Sequence, residues 1–300
     1  MTVQHSQPPH GRSREECREA EPRQTCDVHV GLTVRPQISI ITINRNNAEG
    51  LRRTLAMTAQ QTCSSYEQIV VDGASTDNSV EVICDAGFKV DLWISEPDSG
   101  VYNAMNKGIS MASGSYLLFL NSGDHFCEDK SLESAAAHLG SCDLHYFGLE
   151  VRDRPQPHTG WSKQRRYPDR LSFSFFLRSA LPHPATFIRS SLFGQLGVYD
   201  ESLRIVADWK YFMVAVCRHH CSYQSHDQPL TVFYADGLSA DPTAELHQRE
   251  REAVIAAEFP ALVDDAQFLI DAPTAVATVQ ALRRSRWVRL LQRTGLLWRF

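Results

Sequence analysis

No apolar run in this 300-residue chain approaches the roughly 18 residues that a membrane-spanning helix needs. The stretch from Met1 to Gln24 has no apolar core, so a secretory leader is not expected. A basic excess is missing too: the formal net charge is -5, which argues against a nucleic-acid binder. There is no Gly-x-Gly-x-x-Gly after the first predicted strand, so a dinucleotide fold lacks its fingerprint. Cys217-Arg218-His219-His220-Cys221 stands without a second cluster of the kind zinc sites pair with, and reads as the end of a helix. No acidic residue follows Asp271, whereas Arg283, Arg284, Arg286, Arg289, Arg293 and Arg299 crowd the tail. The expected compartment is the cytoplasm. The eight cysteines are expected as free thiols there.

What is present is ordinary globular composition, 43% hydrophobic and 22% charged. The length suits one large α/β domain or two small ones. Residues 1–35 are polar and Pro-containing and are expected to be a disordered tail. From Ile38 the pattern changes to short β-branched runs separated by helical spacings. Strands are predicted over 38–43, 66–71, 90–94, 116–120, 144–149 and 230–234. His183 to Arg189 reads as a loop entering a strand. Helices are predicted from near Leu51 to Gln61 and over 78–84, 101–111, 171–177, 207–218, 245–258 and 276–291. Residues 152–169 read as a long loop. Strands alternating with helices predict a mostly parallel sheet with helical crossovers.

The chemistry-bearing residues sit where those strands end. Asp72 directly follows the second strand and is followed by Gly73, which allows a sharp turn. A carboxylate here suits either a hydrogen bond from a nucleobase N–H or a turn cap, with Asp77 the better cap. The fourth strand ends in Asn121-Ser122-Gly123-Asp124. A carboxylate at the C-terminal end of a strand is how an open α/β sheet builds a ligand site, and oxygen ligands hold hard cations. Lys107 suits diphosphate charge or a solvated helix face about equally. Asp208 opens a helix, where it would serve as a proton acceptor or as a residue stabilised by the helix dipole. Trp287, Leu291 and Trp298 fall on one face of the basic tail, which suits a membrane surface or packing on the domain.

Val70-Val71-Asp72-Gly73-Ala74-Ser75-Thr76-Asp77, the block from Ser95 to Gly108, and Asn121 to Asp124 together resemble the family 2 glycosyltransferases. The likeness is to members that assemble bacterial exopolysaccharides and glycolipids. It runs from about Ile38 to Ser239. The resemblance implies a GT-A fold over residues 36–240 with a helical extension over 241–300. It implies inverting transfer from a nucleotide-diphosphate sugar, such as a UDP-sugar, to a hydroxyl of a glycan or lipid-linked acceptor. Asp208 is then the catalytic base. Thr42, Arg45, Asn46, Asp98, Asn106, Lys107, His183 and Trp209 lie at the substrate, and Asp72 reads the base. Asp124 and Asn121 hold a divalent cation, Mg²⁺ or Mn²⁺, with His125 within reach. Relatives carry Asp where this chain has Asn103, and an Asp-x-Asp where it has Asn121 to Asp124. Gly237 would hinge a loop over the site. Peripheral contact with the inner membrane face would suit a lipid-linked acceptor.

Two other classes compete. A sugar nucleotidyltransferase would carry a glycine-rich loop after the first strand, and Thr42 to Asn47 holds no glycine. A non-catalytic nucleotide-sugar-binding subunit would bind donor without turnover.

Overall fold

A computed structural model describes residues 36–152, 162–234, 244–285 and 288. The expected N-terminal tail, the Gly237 hinge and the basic tail from Arg289 onward lie outside the described residues.

The first half is a parallel sheet. β1 (Ile38–Asn44) lies between β2 (Tyr66–Asp72) and β4 (Tyr116–Phe119), and β3 (Leu92–Ser95) pairs β2 on its other side. Ile38, Ile40 and Ile41 are fully buried, as β-branched residues are when a sheet is covered on both faces. The crossovers are α1 (Ala48–Ala59), α2 (Ser79–Ile83) and α3 (Val101–Met111). Asn47 Oδ1 caps α1 by accepting from Gly50 N–H at 3.1 Å. Gly108 lets α3 settle on β1, because a Cβ there would come within 2.4 Å of Ile41 Cγ2.

The second half departs from the expected mostly parallel sheet. β8 (Thr186–Arg189) runs antiparallel to β4, and β6 (Leu144–Arg152) antiparallel to β8. β9 (Tyr223–Tyr234) is parallel to β6, while β5 (His125–Phe126) and β7 (Ser162–Arg165) add antiparallel edges on β9 and β6. The described residues thus form a nine-stranded mixed sheet in the order β3-β2-β1-β4-β8-β6-β9-β5, with β7 against β6. β7 was expected as loop because Ser162-Lys163-Gln164-Arg165 is polar and exposed throughout. Its pairing is made by backbone alone.

α4 (Ser131–Ala136), α5 (Phe173–Arg178), α6 (Ser190–Leu196), α7 (Ala207–Cys217), α8 (Ala244–Glu258) and α9 (Val263–Arg284) complete the described structure. α7 is buried nearly all round, with Trp209, Phe212 and Met213 in the main core. Val254, Ile255 and Ala266 join that same core, so the C-terminal extension packs into the domain. α9 begins well before the expected residue 276. Pro273 lies inside this helix. No helix of the described residues is long and apolar enough to cross a membrane. Cys84 is disulfide-bonded, contrary to the expectation of free thiols, while Cys63, Cys127, Cys142, Cys217 and Cys221 are free.

Candidate active site

The C-terminal ends of β1, β2 and β3 form the first wall. Asp72 is fully buried and its carboxylate is saturated. Oδ1 accepts from Asn44 Nδ2 at 2.9 Å and Ser75 Oγ at 2.5 Å. Oδ2 accepts from Ser75 N–H at 2.9 Å and Ser95 Oγ at 2.7 Å. Asp72 therefore fastens three neighbouring strands together and faces no solvent. Thr42 is also buried, donating to the Leu120 carbonyl at 2.7 Å and accepting from Gln68 Nε2 at 3.0 Å. Asn46 takes a left-handed conformation (φ 51°), and its Oδ1 accepts from Thr76 N–H at 2.7 Å. Arg45 is exposed. Asp98 leans against Gly73: a Cβ at residue 73 would sit 2.2 Å from Asp98 Oδ2 and 3.4 Å from Arg45 Cδ.

The middle block is a clasp. Lys107 Nζ is 2.8 Å from Glu96 Oε1 and donates to the Pro97 carbonyl at 2.9 Å, holding the loop that carries Asp98. Asn106 Nδ2 donates to the Tyr199 carbonyl and to Glu201 Oε1, while its Oδ1 accepts from Tyr199 N–H. Both side chains, expected at the substrate, join α3 to its flanking loops.

The Asn121–Asp124 turn lies beyond β4. Asp124 N–H donates to the Asn121 carbonyl at 3.0 Å, closing the turn. Thr54 of α1 holds it from below: its Oγ1 accepts from Gly123 N–H at 2.9 Å and donates to the Asp124 carbonyl at 2.7 Å. Asp124 is 8% exposed, and Asn121 Oδ1 is buried without a hydrogen-bond partner. A buried amide oxygen left unpaired, with a carboxylate three residues on in the same turn, is a donor set that suits a hard divalent cation. Among the described residues no three His, Cys, Asp or Glu side chains converge as a metal cage. The protein would thus supply only part of the coordination, and diphosphate oxygens and water the rest. His125 does not extend the set. Its Nδ1 is 2.8 Å from the Phe126 carbonyl and its Nε2 3.2 Å from Tyr234 Oη. Burial holds its pKa below the ordinary value.

Asp208 occupies the first turn of α7 and is half-buried. Tyr102 Oη stands 2.8 Å from Asp208 Oδ1 and 2.6 Å from the Ile205 carbonyl. Burial, and then the Asp208 charge, push the Tyr102 hydroxyl far above its ordinary range, so it stays a proton donor. His183 is buried, stacked on Phe119 at 4.7 Å, with Nε2 2.9 Å from Tyr199 Oη. Burial lowers its pKa and Asp208 opposes that shift. His183 therefore lies between the end of β4, just ahead of Asn121, and the Asp208 carboxylate. Trp209 is buried and donates to the Phe176 carbonyl at 2.8 Å, so it supports the site from within the core.

A sequence profile described as glycosyl transferase family 2 matches residues 39–197, more than half of the chain. The chain belongs to glycosyl transferase family 2. This glycosyltransferase is 36% identical over 224 residues to an uncharacterized glycosyltransferase of Mycobacterium tuberculosis, covering 67% of this chain and 82% of the relative. It is 35% identical over 182 residues to a PGL/p-HBAD biosynthesis glycosyltransferase of the same species, covering 59% and 68%. Among solved structures, Staphylococcus aureus TarS in complex with UDP-GlcNAc superposes with a TM-score of 0.57 at 18% identity, covering 74% of this chain and 67% of that one. Mannosyltransferase PcManGT from Pyrobaculum calidifontis, in complex with GDP-Man and Mn²⁺, superposes at 0.50 with 16% identity, covering 93% and 88%. The fold is GT-A.

Three parts of this candidate site were not anticipated from the sequence. Tyr102 lies in the block from Ser95 to Gly108, and its spacing gave no sign that it meets Asp208, 106 positions away. Thr54 falls within the helix predicted from near Leu51 to Gln61, and its hold on the turn beyond β4 was not foreseen. α8 was predicted as a helix over 245–258, but nothing in its sequence placed it here, and three of its side chains gather around the start of α7. Arg251 lies over Trp209 at 4.5 Å, and burial pulls its pKa down to about 10 against the pull of Asp208. His247 is lowered by burial and Arg251, with Asp208 and Glu250 opposing. Glu250 accepts from the backbone N–H groups of Arg204, Ile205 and Val206 at 2.8, 3.0 and 3.3 Å.

Proposed function

We propose that the protein catalyses inverting transfer of a sugar from a nucleoside diphosphate sugar, a UDP-sugar by preference, to a hydroxyl of a glycan or lipid-linked acceptor. The observation that carries the reading is Asp208: a half-buried carboxylate in the first turn of a buried helix, oriented by Tyr102. Its Oδ2 remains for an acceptor hydroxyl. In a single displacement the acceptor oxygen bonds to the anomeric carbon while the bond to the diphosphate oxygen breaks. The diphosphate leaves with the electron pair, and Asp208 takes the hydroxyl proton. Attack opposite the leaving group inverts the anomeric centre, with no covalent enzyme intermediate. Asp124 and Asn121 Oδ1 would hold a Mg²⁺ or Mn²⁺ ion, which when bound neutralises charge on the leaving diphosphate. The neighbours named with UDP-GlcNAc and with GDP-Man and Mn²⁺ support a nucleotide-sugar donor and a cation. The relative named for PGL/p-HBAD biosynthesis supports a glycolipid acceptor. A basic tail suits peripheral contact with the anionic cytoplasmic face of a membrane, where such an acceptor would lie.

Asp208→Asn tests the assignment, because the amide keeps the shape and loses the proton acceptor. Transfer from a turned-over nucleotide sugar should fall by at least about 100-fold, in the range of lost general-base catalysis. Calorimetric affinity for UDP should stay unchanged. Undiminished transfer would remove Asp208 from the chemistry.

A further inference from the structure

Resting on the nucleotide-sugar reading, we infer that Asp98, not Asp72, is the carboxylate that reads the nucleobase. It selects bases whose ring nitrogen on the hydrogen-bonding edge carries a proton. A carboxylate offers about four lone-pair sites. In Asp72 all four are taken by Asn44, Ser75 twice and Ser95, and the residue is fully buried. No acceptor capacity remains for a ligand. The next residue, Gly73, has no side chain, and the carboxylate of Asp98 occupies the space that one would fill, 2.2 Å from a Cβ built at residue 73. A carboxylate therefore stands at the end of β2 after all, delivered by the loop that follows β3.

That carboxylate is held and unspent. Its loop is pinned by Lys107 through Glu96 and Pro97, and by Glu96 N–H donating to the Asp72 carbonyl at 3.0 Å. Ser99 N–H donates to Asn103 Oδ1 at 3.3 Å on the far side. Asp98 itself is half-buried and receives no hydrogen bond and makes no ion pair among the described residues. Arg45 stands beside it without pairing to it, its Cδ 3.4 Å from the same Cβ point. An exposed guanidinium next to a carboxylate gives a plane for a base to stack on and an acceptor for its edge. The chemistry then discriminates. Uracil offers one N–H at N3, and guanine offers two at N1 and N2. Cytosine and adenine present bare ring nitrogens there and would set lone pair against lone pair. A site built around a hydrogen bond rejects analogues that cannot make it, because its polar group is left unpaired.

The test is calorimetric titration of UDP, GDP, CDP and ADP into wild type, Asp98→Ala, Asp98→Asn and Gly73→Ala. Wild type should bind UDP or GDP at least about tenfold tighter than CDP and ADP, and which of the two wins identifies the base. Asp98→Ala should erase that preference. Asp98→Asn, which can donate as well as accept, should weaken UDP and GDP and gain CDP. Gly73→Ala should behave like Asp98→Ala, since the new methyl displaces the carboxylate. Equal melting temperatures across the Asp98 variants would keep misfolding out of the comparison, and the isosteric Asn variant decides if the Ala variant melts early. Wild-type preference retained in Asp98→Ala and Asp98→Asn would overturn this inference alone. Failure of wild type to bind any of the four would overturn the nucleotide-sugar reading and this inference with it.

Discussion

His145 and His226 show how individual residues set the behaviour of the chain outside its cleft. They lie on adjacent strands β6 and β9, with His145 Nδ1 3.2 Å from His226 Nε2. One neutral ring must donate to the other at that distance. His226 also stacks on Phe147 at 4.3 Å and rests against His138 at 4.5 Å. Burial lowers both pKa values from 6.5 to about 4, with the neighbouring histidines adding to the shift. The sign follows directly. Between pH 6.5 and 4 the unfolded chain binds these protons and the folded chain does not, so stability falls as pH falls through that window and levels off below it. The urea midpoint should drop across this interval and stay flat from pH 6.5 to 8. His226→Phe should flatten the acid limb. An unchanged limb in that variant would place the loss elsewhere.

At the scale of elements, α8 matters most, because it caps a helix that has no side-chain cap of its own. Glu250, 9% exposed, gathers three consecutive backbone N–H groups at the entrance to α7 and so fixes the turn that presents Asp208. Glu250→Ala should cost about 2–4 kcal/mol, since buried donors lose a charged acceptor. Glu250→Gln, which keeps one acceptor oxygen, should cost about half as much. Urea unfolding checks both, and equal midpoints for wild type and Glu250→Ala would contradict the role. Contacts of this kind explain where sequence reading stopped. The parallel half was legible because Ile38 to Ile43, Tyr66 to Val71 and Tyr116 to Leu120 are short apolar runs with helices between them. The antiparallel half was not, because β5 is two residues long and β7 is wholly polar. In the site, Asp124 and Asp208 were legible as strand-end and helix-start carboxylates. Lys107 and Asn106 were expected at the substrate, and their contacts to Glu96, Pro97, Tyr199 and Glu201 on the flanking loops were not foreseen. Only long-range pairing decides between those roles, and neither residue type nor spacing encodes it.

Over the whole molecule, the parallel strands β1 to β4 end at one edge of the sheet, beside which base, diphosphate and acceptor are proposed to bind. The ends of β2 and β3 bring Gly73 and Asp98 together, the end of β4 presents Asn121 and Asp124, and the β8-side core raises α7 and Asp208. Order β3-β2-β1-β4 reverses direction of growth at β1, where open sheets leave a crevice for a nucleotide. His183, stacked on Phe119 and coupled to Asp208, joins the last two parts. The central claim is that base, diphosphate and acceptor meet in this single crevice. Diffraction from crystals soaked with UDP and Mn²⁺, with an anomalous difference map for the metal, measures it most directly. The expected result is uracil against Asp98 and Arg45, Mn²⁺ in contact with Asp124 and the diphosphate, and the open end of the diphosphate directed toward Asp208. A nucleotide bound away from the ends of β1 to β4, or an anomalous peak remote from Asp124, would contradict the account.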